Sequence, residues 1–194
     1  MTVVEDRIDM AGNTDASRLD RLFQQLEPIP DGYRVEIVRG AVFMSPQRNT
    51  HWQIIRRVVR ALEDEFGMDV IALSDVRIDF PGHLNGFCPD VAKLRDGSKP
   101  DEDGRWRYED VEFVAEVISE STGVNDYGPK RDAYAVAEVP AYLIIDPYTG
   151  RCLLSTNPKD GEYTMERRVD FGDPVDLTGT AVGLTLATDG FPRD

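Results

Sequence analysis

Val111-Glu112-Phe113-Val114-Ala115-Glu116-Val117-Ile118-Ser119 is the stretch on which the fold reading turns. Apart from Glu112 and Glu116 it is apolar through Ile118, and near-continuous apolarity predicts a central strand buried on both faces. A carboxylate inside such a strand must be paired, hydrogen-bonded or bound to a metal. Glu116 is therefore the first candidate functional residue.

Downstream, a helix is expected over about Pro129 to Glu138, since proline is tolerated in a first helical turn. Pro140 marks its far side. Ala141 to Ile145 reads as a second central strand. Asp146-Pro147-Tyr148-Thr149-Gly150 makes a turn into Cys152 to Ser155, and Tyr163 to Val169 adds an antiparallel strand. The tail from Asp170 is less legible, with Leu184 and Leu186 expected to pack back.

Upstream, the charged, Gly- and Pro-containing span Arg95 to Asp110 reads as a loop. Asp90 to Leu94, Val76 to Phe80 and Val70 to Leu73 are strand candidates. Residues Asn49 to Phe66 switch to helical period, with Ile55, Val58, Val59, Leu62 and Phe66 on one stripe and Gly67 as the stop. Arg56, Arg57 and Arg60 lie off that stripe, either on a solvated face or along a phosphate path. Tyr33 to Val38 and Ala41 to Met44 flank Arg39-Gly40 as a hairpin, with Ser45-Pro46 as its end. Asp15-Ala16-Ser17 caps a short helix carrying Leu19, Leu22, Phe23 and Leu26, ended by Pro28 and Pro30. Residues 1–13 are expected to be a flexible arm, and 14–194 a single domain. This order of elements predicts an α/β fold with a mixed central sheet flanked by helices, rather than repeated βαβ winding. Neither GxGxxG nor GxxxxGK[ST] occurs, which argues against dinucleotide and P-loop sites.

At 194 residues the chain is long enough for one substantial core. No apolar run approaches the ~20 residues of a membrane span. The N-terminus is polar and acidic, unlike a secretory signal. Cys88 and Cys152 are far apart and outside any CxxC pair, which fits a reduced cytoplasmic chain and no zinc cluster. The formal charge of −14 runs against generic nucleic-acid binding, which draws most of its affinity from neutralised phosphate.

Two more acids occupy apolar strands. Asp90 follows Pro89 and opens Val91-Ala92, and Glu36 lies within Tyr33-Arg34-Val35-Glu36-Ile37-Val38. Each either pairs with an arginine or contributes to a hard-oxygen site of the kind Mg²⁺ prefers. Lys130, Ala133, Tyr134 and Ala137 share one helix face that should meet the sheet. Lys130 there either snorkels to the edge or reaches the acids. His51, one turn before Ile55, points inward and reads as a satisfied structural histidine. His83 lies in an exposed loop, Gly82 to Gly86. No GxSxG or triad is present, which disfavours Ser or Cys hydrolysis.

Taken in order, these segments resemble one family. Pro89-Asp90-Val91-Ala92 resembles the "PD" strand of PD-(D/E)XK nucleases. Glu116 to Thr122 resembles "EVLSPST", Asp126 to Lys130 resembles "DxxxK", Val139 to Pro147 resembles "VPEYWLVDP", and Tyr33 to Gly40 resembles "YELIDGE". The ordered set is similar to the Uma-type restriction endonuclease family. The resemblance implies a restriction-endonuclease-like fold and a Mg²⁺-dependent endonuclease, with Mn²⁺ as a plausible substitute, acting on DNA. It implies metal ligation by Asp90, Glu116 and the backbone carbonyl of Val117. The usual lysine position falls on Ile118, so its role passes to Lys130, with Glu36 assisting. Ala41 and Glu120 depart from the family pattern, and neither is an implied ligand. A homodimer is compatible with this reading, because duplex cleavage often uses two sites. The alternative is a catalytically silent nuclease fold acting as a binding or interaction module.

Overall fold

A computed structural model of the chain describes residues 5–46, 48–120 and 122–194. The strands are β1 (Tyr33–Val38), β2 (Ala41–Pro46), β3 (Ala72–Leu73), β4 (Ile78–Phe80), β5 (Asn85–Phe87), β6 (Val91–Leu94), β7 (Trp106–Arg107), β8 (Val111–Val117), β9 (Ala141–Asp146), β10 (Arg151–Lys159), β11 (Glu162–Asp170), β12 (Val175–Asp176) and β13 (Thr185–Leu186). The helices are α1 (Glu5–Leu26), α2 (Asn49–Phe66) and α3 (residues 123–136).

The expected mixed central sheet is six-stranded, ordered β11-β10-β9-β8-β6-β3. Its β8–β9 pair is parallel, while β6–β8 and β9–β10 are antiparallel. The period-two alternation of β8 sends its side chains to two different cores. Phe113, Ala115 and Val117 pack with Ile54, Ile55, Val58 and Leu62 of α2. Val114 and Ile118 face the other way, into a core with Ala133, Tyr134 and Ala135 of α3. Glu116 shares the parity of Val114 and Ile118, so its carboxylate belongs to the α3 side. Asp90, one step before β6, shares the parity of Ala92 and Leu94, which lie in that same core.

A second sheet, β2-β1-β5-β4-β7, carries the predicted hairpin. Arg39 and Gly40 both have positive φ, 50° and 78°, as the tight two-residue turn of a twisted hairpin requires. Ile37 packs on Leu19 of α1 and on Leu84, while Arg34 and Glu36 occupy the opposite parity. The C-terminal hairpin β12–β13 packs Leu184 and Leu186 into the α2-side core, as expected from their spacing.

Four local expectations need correction. No proline interrupts Glu5 to Leu26, and α1 runs through that whole span, beginning well before the expected cap at Asp15. Of the expected flexible arm, residues 1–4 lie outside the described residues. Ser45-Pro46 does not end the second strand but completes it, Tyr33 pairing with Pro46. The segment around His83 is not all exposed loop. Leu84 and Asn85 are buried, and Asn85 opens β5, held where its side-chain oxygen accepts the Arg39 N–H at 2.9 Å. Finally, the helix expected from Pro129 starts at Gly123, and Asp126–Lys130 is a π-helical segment with Pro129 inside it. The wider turn accommodates a residue that would break a regular α-helical ladder.

Candidate active site

Three structural units converge at one end of the central sheet. β1 brings Arg34 and Glu36, the β6 and β8 strand ends bring Asp90 and Glu116, and the π segment of α3 brings Asp126 and Lys130. Asp90, Glu116, Lys130 and Glu36, the four side chains singled out in the sequence, lie in one contact network. All four are buried.

Lys130 is its centre. Its Nζ lies 2.6 Å from Glu116 Oε1, 3.1 Å from Glu36 Oε1 and 3.1 Å from Asp126 Oδ1. At 1% exposure it reaches the acids rather than snorkelling to the edge. Glu116 Oε1 also accepts the Tyr134 hydroxyl at 2.7 Å. Glu36 Oε1 accepts the backbone N–H of Cys88 at 2.9 Å. The Asp90 N–H lies 3.3 Å from Glu116 Oε2, and Asp90 Oδ2 accepts the Val117 N–H at 2.7 Å. Val117 thus touches the network through its amide, on the strand end where its carbonyl was expected to act.

Arg34 was not singled out, yet it holds Asp90. Its Nη1 donates to Asp90 Oδ1 and, at 3.0 Å, to Asp75 Oδ1, and its Nη2 lies 3.8 Å from Glu36 Oε2. The signal was its i, i+2 spacing to Glu36, which puts both on one face of β1. Asp126 was quoted only as part of a motif. Its i, i+4 spacing to Lys130 foretells the contact, once helix rather than loop is assigned to it.

The electrostatics follow from burial. Four buried carboxylates, Glu36, Asp90, Glu116 and Asp126, and the partly exposed Asp75 surround two cations, Arg34 and Lys130. Burial, reinforced by Asp126, Asp90 and Glu36 and opposed by Lys130, pushes Glu116 up to about 8. Burial also pushes Asp126 up to about 6, against the pull of Lys130. Burial works against the charge on Lys130, but Asp126, Glu116 and Glu36 outweigh it and hold its pKa well above the ordinary lysine value. The same balance, led by Asp90 after burial, raises Arg34. The cluster therefore carries more formal negative charge than its own cations neutralise, which favours protonation of Glu116 and Asp126.

A cleft of about 160 Å³ opens onto the network, lined by Arg34, Asp75, Asp90, His51, Trp52 and Ser119 among others. His51 Nε2 lies 3.1 Å from the carbonyl oxygen of Ile118, so the inward histidine is satisfied as its position suggested. Both cysteines are free and buried, and burial pushes each thiol up to about 12, which leaves neither as a nucleophile.

Among the described residues no three His, Cys, Asp or Glu side chains form a ready-made metal cage. The donor set nevertheless suits Mg²⁺, which takes one or two carboxylates and completes its shell with water and phosphate. Asp90 and Glu116 are hard oxygen donors on adjacent strand ends, within a cluster of surplus negative charge. Among the described residues no helix is long and apolar enough to cross a membrane.

No curated protein matches the chain. In fold it is similar to a crystal structure described as a "putative nuclease belonging to DUF820" from Anabaena variabilis ATCC 29413, at 15% sequence identity and a TM-score of 0.68, covering 89% of this chain and 96% of that one. That likeness supports the restriction-endonuclease-like fold expected from the sequence. The model of the Uma2 family, "Putative restriction endonuclease", matches residues 20–189, and the chain belongs to that family.

Proposed function

We propose that the chain is a metal-dependent endonuclease that hydrolyses DNA phosphodiester bonds at the Asp90–Glu116–Lys130 cluster. One observation carries the reading. The backbone N–H of Asp90, at the start of one strand, lies 3.3 Å from Glu116 of the neighbouring strand, and Glu116 pairs at 2.6 Å with Lys130 from a separate helix, beside a cleft that reaches Asp90. Family membership and the nuclease-titled structural neighbour support it.

Asp90, Glu116 and the carbonyl of Val117 would hold Mg²⁺ or Mn²⁺. Bound there, the ion would polarise the phosphate and make a water more acidic. Lys130 places a fixed positive charge beside the reacting group, where it stabilises the charge that develops on phosphate as water attacks and the P–O bond breaks. Glu36 and Asp126 hold Lys130 from either side, and Tyr134 fixes the orientation of Glu116. Arg34 pairs with Asp90, and a divalent cation held by Asp90 would compete with that pair and could turn the guanidinium toward phosphate. DNA as substrate and a homodimer with two such sites are part of the same proposal.

A second reading is a catalytically silent module. Its support is that both Asp90 oxygens are engaged within the protein and that the chain is strongly acidic. Nicking of supercoiled plasmid in Mg²⁺ and in Mn²⁺, beside Asp90→Ala and Lys130→Ala, separates the two. Metal-dependent nicking lost in both variants supports the nuclease. Inactivity of the wild type across metals and DNA forms favours the silent module, and equal activity in all three proteins points to a contaminating enzyme.

A further inference from the structure

Arg48, Trp52, Arg56 and Arg60 recur every fourth residue, so they form one stripe along α2 and its N-terminal flank, each step rising ~6 Å. All four are exposed, and Trp52 is 57% exposed. From Arg48 to Arg60 the chain has four arginines and no carboxylate, although its formal charge is −14. This stretch is thus net positive in a chain that is otherwise net negative.

The stripe also has a direction. Arg48 and Trp52 line the cleft that reaches Asp90 and Arg34. Trp52 lines a second, more open groove of about 680 Å³ as well, with Arg56, Arg57, Arg60 and Glu63. One indole therefore joins the candidate active site to a basic groove. Not all of the arginines are equally available. Arg57 is braced on Gln53 through both its carbonyl and side-chain oxygens, and Arg48 donates to the Tyr148 hydroxyl at 3.1 Å. Arg60 lies 3.5 Å from Asp64 in an exposed pair, which solvent screens.

We infer that this face of α2 is a track for a single DNA strand, with Trp52 stacking on an unpaired base and the arginines pairing with phosphates on the way to Asp90. The inference rests on the nuclease reading and deepens it by naming the substrate form. An exposed indole face between arginines is a stacking platform that any unstacked base can use. In a duplex the base faces are covered, so the indole has nothing to stack on. Pro46, Trp52 and Ile55 give the cleft mouth an apolar lining suited to a flipped or single-stranded base.

The test is binding of a fluorescein-labelled 12-mer single strand, and of a hairpin duplex of the same sequence, to the full chain in EDTA, so that binding is read without cleavage. The wild type should prefer the single strand. Trp52→Ala should weaken that binding about tenfold. Arg56→Gln with Arg60→Gln should lower the slope of log affinity against log salt by about 1.4. Arg167→Gln on β11 is the surface control and should change neither. In a Trp106→Phe background, the fluorescence of Trp52 should be quenched by the single strand. A wild type that prefers duplex, or single-strand binding indifferent to Trp52, overturns the track. Binding of a protein partner through the groove, with no DNA response at Trp52, overturns it equally. Plasmid nicking beside Asp90→Ala is scored separately. Nicking with no role for the stripe leaves the nuclease and removes the track, whereas stripe-dependent binding without nicking leaves the track and removes the nuclease.

Discussion

Two lysines are buried to nearly the same degree, Lys93 at 2% and Lys130 at 1% exposure, yet they occupy opposite kinds of site. Lys93 lies on β6, three residues after Asp90 and on the other face of the strand. Its Nζ meets one carboxylate, Glu112, at 2.5 Å, the carbonyl of Leu94 at 3.3 Å and the ring of Phe66 at 4.6 Å. Lys93 meets one carboxylate, which Arg95 also approaches at 4.0 Å, and the Glu112 side chain keeps 20% of its exposure. Lys130 meets three carboxylates, each under 10% exposed. With Arg95 and Asp110 the first arrangement balances two cations against two acids. The second carries a surplus that only protons or a further cation can balance. Burial of a lysine alone does not mark a functional site; an imbalance around it does.

The comparison is open to breakage at several points. The largest expected contrast is in cleavage. Lys130→Met should lower plasmid nicking on the order of 10²–10³-fold, the range for removing one charge-stabilising group, while Lys93→Met leaves it unchanged. Equal losses in the two variants would mean that Lys130 acts only through folding. Next is stability. Lys130→Met leaves the buried acids short of their main cation and should cost about 3–5 kcal/mol, whereas Lys93→Met should cost about 1 kcal/mol or less because Glu112 can turn to solvent. Urea titrations read both, and adding Glu116→Gln to Lys130→Met should recover part of the loss.

Smaller again is the competition at Asp90. Arg34→Met removes a unit charge from the site, so Mn²⁺ should bind about tenfold more tightly by calorimetry; unchanged affinity would show that the cation does not contend with Arg34. The smallest effect is in pH. Because Glu116 is raised to about 8 and Asp126 to about 6, the metal-free native chain holds more protons than the unfolded chain above the ordinary carboxylate range. Its stability is then fully present below the ordinary carboxylate pKa and is lost progressively as pH rises through about 6 and about 8. Tm in EDTA should fall by a few degrees between pH 5 and pH 8.5, with Mg²⁺ restoring it at the higher pH. A flat profile would mean that the surplus charge is compensated in some other way.

Much of this was legible in the chain. Glu116, Asp90 and Glu36 stood out because acids in apolar strands lose hydration they must recover from a partner, and Lys130 stood out because its helix face was otherwise apolar. The hairpin, α2 and the central strands β8 and β9 followed from period and turn chemistry. What escaped did so for physical reasons. Arg34 lies next to the start of a strand, where arginine is unremarkable until its partners across the other sheet are known. Asp126 was hidden because Gly128 and Pro129 read as helix breakers, and a π turn absorbs both. β5 was hidden because it begins within Gly82-His83-Leu84-Asn85-Gly86, whose turn residues outweigh one buried leucine. Tyr134 was read as core, which it is, but its hydroxyl also serves Glu116.

Glu36 and Lys130 stand 94 positions apart in the chain. A contact so remote in sequence closes only after the intervening hairpin, helix and strands have found one another, and loop-closure entropy delays it. The charged groups should therefore stay hydrated through early assembly and shed their water late. Folding of this chain should thus finish with its chemistry, so that a cation present at that moment would speed the final step and one absent would leave it the slowest.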